Sequence, residues 1–432
     1  MPSSRPLRRL FAALSVAAFV LWVSAQAVPA GAGPSPGRGR VLGERGSGMP
    51  AMPLRITAAA RAGDSIAWSD VTKGHWAKAA IDHVARTYTW MRDFRASDDG
   101  TVPFKPDKLE TRRLFARALV RAFASAETTD PTITFPDLAE TDRFFRFANI
   151  AVKLGWLATD PDGTFVPTGT VSTIDVHHAL LAAVGMSELA TAAEGIHLRN
   201  GTTFEVPDGF GETLIGMRAG FRYNHRDEVL DVLPTTALPR SEVAWSLYRA
   251  ATMPTWVPSF LAPYADIELP NLGSRKVPIV QWAIDYVGYP YVWGGEWDTA
   301  TGKAYCCGAQ PIGGFDCSGA AWWVMRSSTQ AWSNAPPRPY TGWPLPERTS
   351  AAMASVRPKL TWEEVGAGDL LFYDGDHDGR VDHVNVSIGN GWAIDSSSGQ
   401  GGLTIMWVGS GWYFDNFVHA RRIIPAKTQT QP

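Results

Sequence analysis

One helix–loop–helix pattern recurs between residues 66 and 252, and that recurrence sets the strongest limit on what this chain folds into. The first copy opens with Ser69-Asp70, a capping pair, and a Pro-free stretch follows. Ala77, Ile81, Val84 and Tyr88 then recur at helical spacing. After the polar loop RASDDGTVPFKPD, a second helical pattern starts near Thr111 and carries Leu114, Phe115, Ala118 and Leu119. A second copy, from Thr134, keeps the order: an aromatic-x-Asp start, a helix, a D-G-T-F-x-P loop and another helix. A third is visible only at its end, in ALPRSEVAWSLYRAA. A single unit of this kind cannot bury its own apolar stripe. The recurrence therefore predicts an all-α repeat domain whose copies pack on one another.

The segments around the repeats read differently. Arg5, Arg8 and Arg9 precede an apolar or small run from Leu10 to Val23, followed by Ala25-Gln26-Ala27. That run is shorter than the ~20 residues of a bilayer span. It predicts a secretory signal over residues 1–27, with export and no stable membrane insertion after its removal. Residues 28–65 are rich in Pro, Gly, Ala and Arg without apolar period, and read as a disordered spacer. The formal net charge is −2 at pH 7, so nothing points to nucleic acid or an anionic membrane as partner. Residues 253–276 hold several Pro and apolar residues with no long period and read as a linker, and a second domain starts at residue 277 and runs to 425.

That domain holds all three cysteines, Cys306, Cys307 and Cys317. An odd number in an exported chain leaves a candidate reactive thiol. Cys317 sits in Gly313-Gly314-Phe315-Asp316-Cys317-Ser318-Gly319, ahead of the apolar run Ala320 to Met325. This order predicts a buried helix with Asp316 near its N-cap and Cys317 in its first turn. Helix N–H groups and the helix dipole stabilise an anion there. A thiolate also needs a base, and the base an orienting group. Downstream, Leu370 to Tyr373, His383 to Ile388 and Trp392 to Asp395 read as successive strands with turns between them. Across such a sheet His383 and Asp395 come within reach of one another. Ser396 and His419 are the reserves for the third position. YPYVWGG ahead of the thiol reads as a short aromatic strand.

Four motifs in order, Tyr291-Val292-Trp293-Gly294-Gly295, Phe315-Asp316-Cys317-Ser318-Gly319, Gly368-Asp369-Leu370, and His383-Val384 with Gly389-Asn390-Gly391, resemble the NlpC-type cell-wall cysteine peptidases. The resemblance implies an α+β, papain-like fold with a small antiparallel sheet over residues 277–425. It implies cleavage of peptidoglycan stem peptides, often between D-glutamate and a diamino acid. Cys317 becomes the nucleophile, His383 the general base and Asp395 the third polar residue, while Tyr291, Asp316 and Ser318 match positions lining the family's cleft. In the first half, Trp68-Ser69-Asp70-Val71, His75-Trp76-Ala77, Phe104-Lys105-Pro106 and Thr111-Arg112 resemble the S-layer homology module. That resemblance implies a grip on cell-wall polysaccharide, with Arg112 and Arg240 at the signature turns as the wall-polymer residues.

Two further features stand beside the thiol. Asp374, Asp376, Asp378, Gly379 and Asp382 reproduce the first part of a D-x-D-x-D-G calcium loop, with Asn385 in place of its closing Glu. The same residues also describe a solvated acidic turn; the thiol chemistry itself requires no cofactor. Cys306-Cys307 predicts two packed or loop thiols, because neighbouring Cα atoms lie at about 3.8 Å, below the usual disulfide range. Three functions fit: a peptidoglycan hydrolase, a wall-binding structural protein with a silent peptidase domain, and a papain-like acyltransferase or amidase acting on another acyl substrate.

Overall fold

The computed structural model describes residues 66–303, 306–325 and 345–424. The predicted signal and spacer lie outside the described residues. The first half is helical: α1 (Lys78–Ile81), α2 (Arg112–Phe123), α3 (Phe145–Lys153), α4 (Thr173–Ala183), α5 (Ser187–Ala193), α6 (Phe210–Arg218) and α7 (Arg240–Ala251). The first helix does not stay α-helical to Tyr88. It widens into a π-turn over Asp82–Thr87, where the Tyr88 N–H reaches back to His83 O at 2.9 Å.

The starts of α2, α4 and α7 are equivalent, and the backbone joins them in a ring. Glu110 N–H donates to Leu238 O at 2.9 Å, Leu238 N–H to Val171 O at 2.8 Å, and Val171 N–H to Glu110 O at 3.3 Å. A second set repeats one step on: Arg112 N–H to Gly169 O, Thr173 N–H to Thr236 O, and Arg240 N–H to Lys108 O. Each copy therefore closes on the loop of another, and the third, faint in sequence, is structurally complete. The aromatic-x-Asp start of the first two copies has a direct cause. Asp70 accepts the Phe104 and Lys105 N–H groups, each at 2.8 Å. Asp137 accepts those of Phe165 and Val166 at 2.9 and 2.8 Å. These carboxylates hold Lys105 and Val166 at φ 59° and 53°, the left-handed region that side chains other than glycine avoid.

Both arginines of the signature turns are used inside the ring. Arg240 is fully buried. Its guanidinium lies between Asp93 and Glu110, each at 2.7 Å, and donates to Phe104 O and Met91 O. Arg240 thus has no surface to offer a polysaccharide, which corrects its expected role as a wall-polymer residue. Arg112 Nε donates to Phe165 O at 2.7 Å, a second nitrogen donates to Ala158 O, and the group lies over the Phe165 ring. It joins the first copy to the second.

Residues 253–276 are ordered and packed. They contain α8 (Val257–Leu261), and β1 (His197–Leu198) pairs in parallel with β2 (Glu268–Leu269). Tyr264 is buried, and its hydroxyl donates to Ile405 O at 3.0 Å. After α9 (Val277–Asp285), the short strands β3 (Glu296–Trp297) and β4 (Gly314–Phe315) pair and lead into α10 (Cys317–Met325). YPYVWGG is a turn instead of the expected strand: Gly295 N–H closes onto Val292 O at 2.8 Å, and Gly294 takes φ 69°. Then come α11 (Ser350–Ser355), β5 (Asp369–Tyr373), β6 (His383–Gly389), β7 (Trp392–Ser397), β8 (Gly402–Trp407), α12 (Trp412–Asp415) and β9 (Phe417–Arg422). The five long strands form one antiparallel sheet in the order β8-β7-β6-β5-β9. The buried α10 packs on one face, and Trp362, Trp412 and Tyr413 cover Leu371, Tyr373 and Met406 on the other. This is the α+β architecture expected of the second domain, preceded by helical repeats. Among the described residues no helix is long and apolar enough to cross a membrane.

Removing Arg240 leaves the buried Glu110 without its cation and Asp93 with Arg117 alone. Arg240→Ala should cost about 3–5 kcal/mol of unfolding free energy. Arg199→Ala, which removes the exposed Arg199–Glu268 pair, should change it by less than about 1 kcal/mol. Urea denaturation of the three proteins side by side checks both.

Candidate active site

Asp316 caps α10 in the predicted manner. Its Oδ1 accepts the Gly319 N–H and, at 3.0 Å, the Ser318 hydroxyl. Its own N–H donates to Gly295 O at 3.0 Å, which binds the turn to the helix start. The fit leaves no room at Gly319, where a Cβ would collide with the Gly295 carbonyl oxygen and press on Arg348. Cys317, half-buried and unbonded, is the first residue of the helix.

Beneath this corner lies Arg348, which sequence reasoning missed. Its Nε donates to Glu296, and one terminal nitrogen donates to Asp316 Oδ1 at 3.1 Å and Ser318 Oγ at 2.8 Å. The other terminal nitrogen donates to Gly294 O and Gly295 O, each at 3.1 Å. Burial pushes the guanidinium down, but the Asp316 and Glu296 charges outweigh it and keep the group charged. Asp316 and Ser318 therefore face inward onto Arg348 and act as scaffold, where the sequence places them as cleft lining. Tyr291 is buried beside them, and burial together with the charges of Cys317 and Asp316 holds its phenol well above the usual range.

The sheet supplies the rest. Val386 pairs with Ile394, so Asp395 sits one step further along β7, diagonal to His383 at the start of β6. His383 Nε2 lies 2.6 Å from Asp395 Oδ1, and the Cys317 thiol lies near enough for its charge to act on the ring. Burial lowers the His383 pKa, yet the charge and hydrogen bond of Asp395, joined by Cys317, carry it well above the ordinary value. Asp395 is fully buried, and its second oxygen accepts hydroxyls from Tyr413 at 3.0 Å and Ser397 at 3.1 Å. Burial and the Asp395 charge keep the Tyr413 phenol neutral, which makes it a donor. The two reserves are engaged elsewhere. Ser396 Oγ donates to Phe315 O at 2.7 Å, and His419 Nε2 meets Ala354 O at 3.0 Å. Tyr413 lies in Gly411-Trp412-Tyr413-Phe414 and Arg348 in a stretch without periodicity, so neither carries a local signal.

The acidic loop gathers three of its four candidate ligands. Carboxylate oxygens of Asp374, Asp376 and Asp382 lie within 4.8 Å of one another. Asp378 is not in the set, and its Oδ1 accepts the Arg380 N–H at 2.8 Å. Asp374 also accepts the Gly379 N–H at 2.9 Å, so the loop closes on itself as a hairpin turn. Cys306 and Cys307 are joined in a vicinal disulfide with Cα atoms 3.7 Å apart, unlike the two separate thiols expected. The bend over residues 306–308 brings the neighbouring sulfurs together, and Cys307 packs against Gly294 of the turn beside the thiol.

A thiol at a helix start, an imidazole on it and a carboxylate behind the imidazole, built on a helix and a small antiparallel sheet, define the papain-like class. Residues 288–422 match the NlpC/P60 family. The chain is 30% identical over 146 residues to the bifunctional muramidase/DL-endopeptidase CwlT of Bacillus subtilis, covering 34% of this chain and 36% of that protein. It is 28% identical over 144 residues to the murein DD-endopeptidase MepH of Escherichia coli, covering 33% and 44%. Among solved structures, an NlpC/P60 family protein from Bacillus cereus is 23% identical with a TM-score of 0.27, over 36% of this chain and 42% of that one. The matched region thus spans less than half the length of these relatives.

Because Asp395 opposes the effect of burial on His383, removing its charge leaves burial alone to act. In a Cys317→Ala background, His383 should titrate well above about 6.5, the ordinary histidine value. Adding Asp395→Ala should bring that titration below 6.5. Imidazole NMR across the pH range reads both, and an unchanged titration would show that Asp395 does not set the proton affinity.

Proposed function

We propose that this chain is an exported peptidoglycan hydrolase that cuts stem-peptide amide bonds, with the bond between D-glutamate and a diamino acid as its target. The observation that carries the reading is the Cys317–His383–Asp395 line, with His383 Nε2 at 2.6 Å from Asp395, inside the NlpC/P60 match. Relatives named as DL- and DD-endopeptidases support the substrate class.

The chemistry is acyl transfer. His383 takes the thiol proton, and the Cys317 thiolate attacks the amide carbonyl. The first N–H groups of α10, those of Cys317 and Ser318, face the developing oxyanion. His383 then protonates the leaving amine. Water, activated by the same imidazole, releases the acyl group and restores the thiol. Every group in this cycle belongs to the chain itself. The helical repeats are proposed to hold the enzyme at the wall by surfaces other than the buried Arg240. A silent structural protein is the weaker reading, because the nucleophile, its base and its orienting carboxylate are all present and assembled. An acyltransferase or amidase on another acyl substrate is separated by its products.

Purified protein with its thiol reduced is incubated with peptidoglycan sacculi beside Cys317→Ala and His383→Ala. The wild type should release new stem-peptide ends, identified by mass spectrometry. Both substitutions should lower the rate by on the order of 10⁴-fold or more. Identical products from wild type and folded Cys317→Ala would sink the hydrolase reading.

A further inference from the structure

The turn that carries Tyr291, Trp293, Gly294 and Gly295 is held from two directions. Arg348 and the Asp316 N–H bind the Gly294 and Gly295 carbonyls from the nucleophile's side. From the other side comes the helical half: Glu228 Oε1 accepts the Trp293 N–H at 2.6 Å. Glu228 opens a short 3₁₀ turn, Glu228–Leu230, in the third repeat. It lies close enough to Tyr291 for its charge to act there together with those of Cys317 and Asp316.

The segment bearing Glu228 is fixed from within. Arg222 is buried and donates to Val232 O, at the far end of the same segment, and to Gly288 O, at the entrance to the turn. His225 Nε2 lies 2.6 Å from Glu242 of α7, and the His225 N–H donates to Asp231 at 3.0 Å. The helical ring, through α7, thereby sets where Glu228 stands. The Trp293 side chain is 43% exposed, in contrast to the buried Tyr291, Val292 and Gly294 around it. Val229 and Leu230, next to Glu228, are also exposed, at 64% and 48%.

We propose that the third helical repeat forms one wall of the peptidase cleft, and that Glu228 is a positioning residue which fixes Trp293 as an apolar platform for the bound peptide. The repeats are then part of the catalytic unit as well as a carrier for it. The proposal rests on the hydrolase reading above and deepens it. Glu228 acts through the Trp293 backbone and does not touch the reacting atoms. Its loss should therefore weaken substrate binding and spare the chemical step.

Four full-length proteins are compared on soluble peptidoglycan stem peptides: Glu228→Ala, Glu228→Gln, Trp293→Ala and the double variant Glu228→Ala/Trp293→Ala. Glu228→Ala should raise KM by about 10-fold or more with kcat within about 2-fold of wild type. Glu228→Gln keeps an oxygen that accepts the Trp293 N–H and should restore KM to within about 3-fold. Trp293→Ala should raise KM comparably, and the double variant should add little to either, since both act on one contact. Wild-type KM in Glu228→Ala overturns the proposal while the hydrolase stands. So does equal impairment of both Glu228 variants with lowered kcat and thermal midpoint, which marks a purely structural role. Absence of cleavage by the wild type itself overturns the hydrolase reading, and this proposal with it.

Discussion

The arrangement around the thiol depends on one buried guanidinium. Arg348 binds Glu296 of β3, the Asp316 cap and Ser318 of α10, and two carbonyls of the turn before them. Regular secondary structure joins these segments only through the pairing of β3 and β4, two residues each, and the turn is not part of a strand. A planar cation with five fixed donors does what a longer sheet would do elsewhere. Burying it is repaid only because two carboxylates and three further oxygens meet it. Its yield is geometry more than stability, since replacing a buried ionic cluster by apolar groups is often neutral or stabilising. Here the geometry in question is the position of Cys317.

The helical half uses the same device. Arg240 joins Asp93, Glu110 and two carbonyls where the first copy meets the third. Around it the copies are tied by isolated backbone hydrogen bonds instead of continuous strands. Such a ring has no free end, so a displacement of one copy strains both others. That closure matters for the thiol site, because the third copy's segment from Arg222 to Asp231 reaches the cleft turn. The two arginine clusters thus fix the two sides from which the Tyr291–Gly295 turn is held.

What the sequence made legible was local or periodic. The apolar stripes of α2, α4 and α7, the Asp-Cys-Ser-Gly helix start and the alternation of β6 each lie within a short window. The third copy was faint because its likeness to the others lies in which loop it pairs with, and pairing across more than a hundred residues leaves no local trace. Arg348 and Tyr413 were invisible for the same reason: a lone arginine or tyrosine shows nothing until the fold supplies its partners. YVWGG misled in a different way. Its aromatic and β-branched residues favour a strand, but Gly294 at φ 69° turns the chain and closes it. Asp395 is the expected partner of His383, with Ser396 and His419 in reserve, and the strand register sets Asp395 beside it. Asp395 lies on the strand beside His383, whereas His419 pairs with Phe372 on the far side of β5.

An aspartate behind the imidazole has a consequence for the proposed cycle. Asp395 is fully buried and has three donors: His383, Tyr413 and Ser397. While His383 is an imidazolium, the buried anion has a full countercharge. Once His383 gives its proton to the leaving amine, only a neutral ring and two hydroxyls face the carboxylate. That is the least compensated state of the site, because a buried charge is costly unless it is paired. The imbalance makes the neutral imidazole a strong base at the moment when the acyl-enzyme needs a water molecule activated. A neutral third residue in the same place would orient the ring equally well and lack this pull. The fully buried carboxylate therefore does more than aim His383: it biases the imidazole toward taking a proton in each half of the reaction, first from the thiol and then from water.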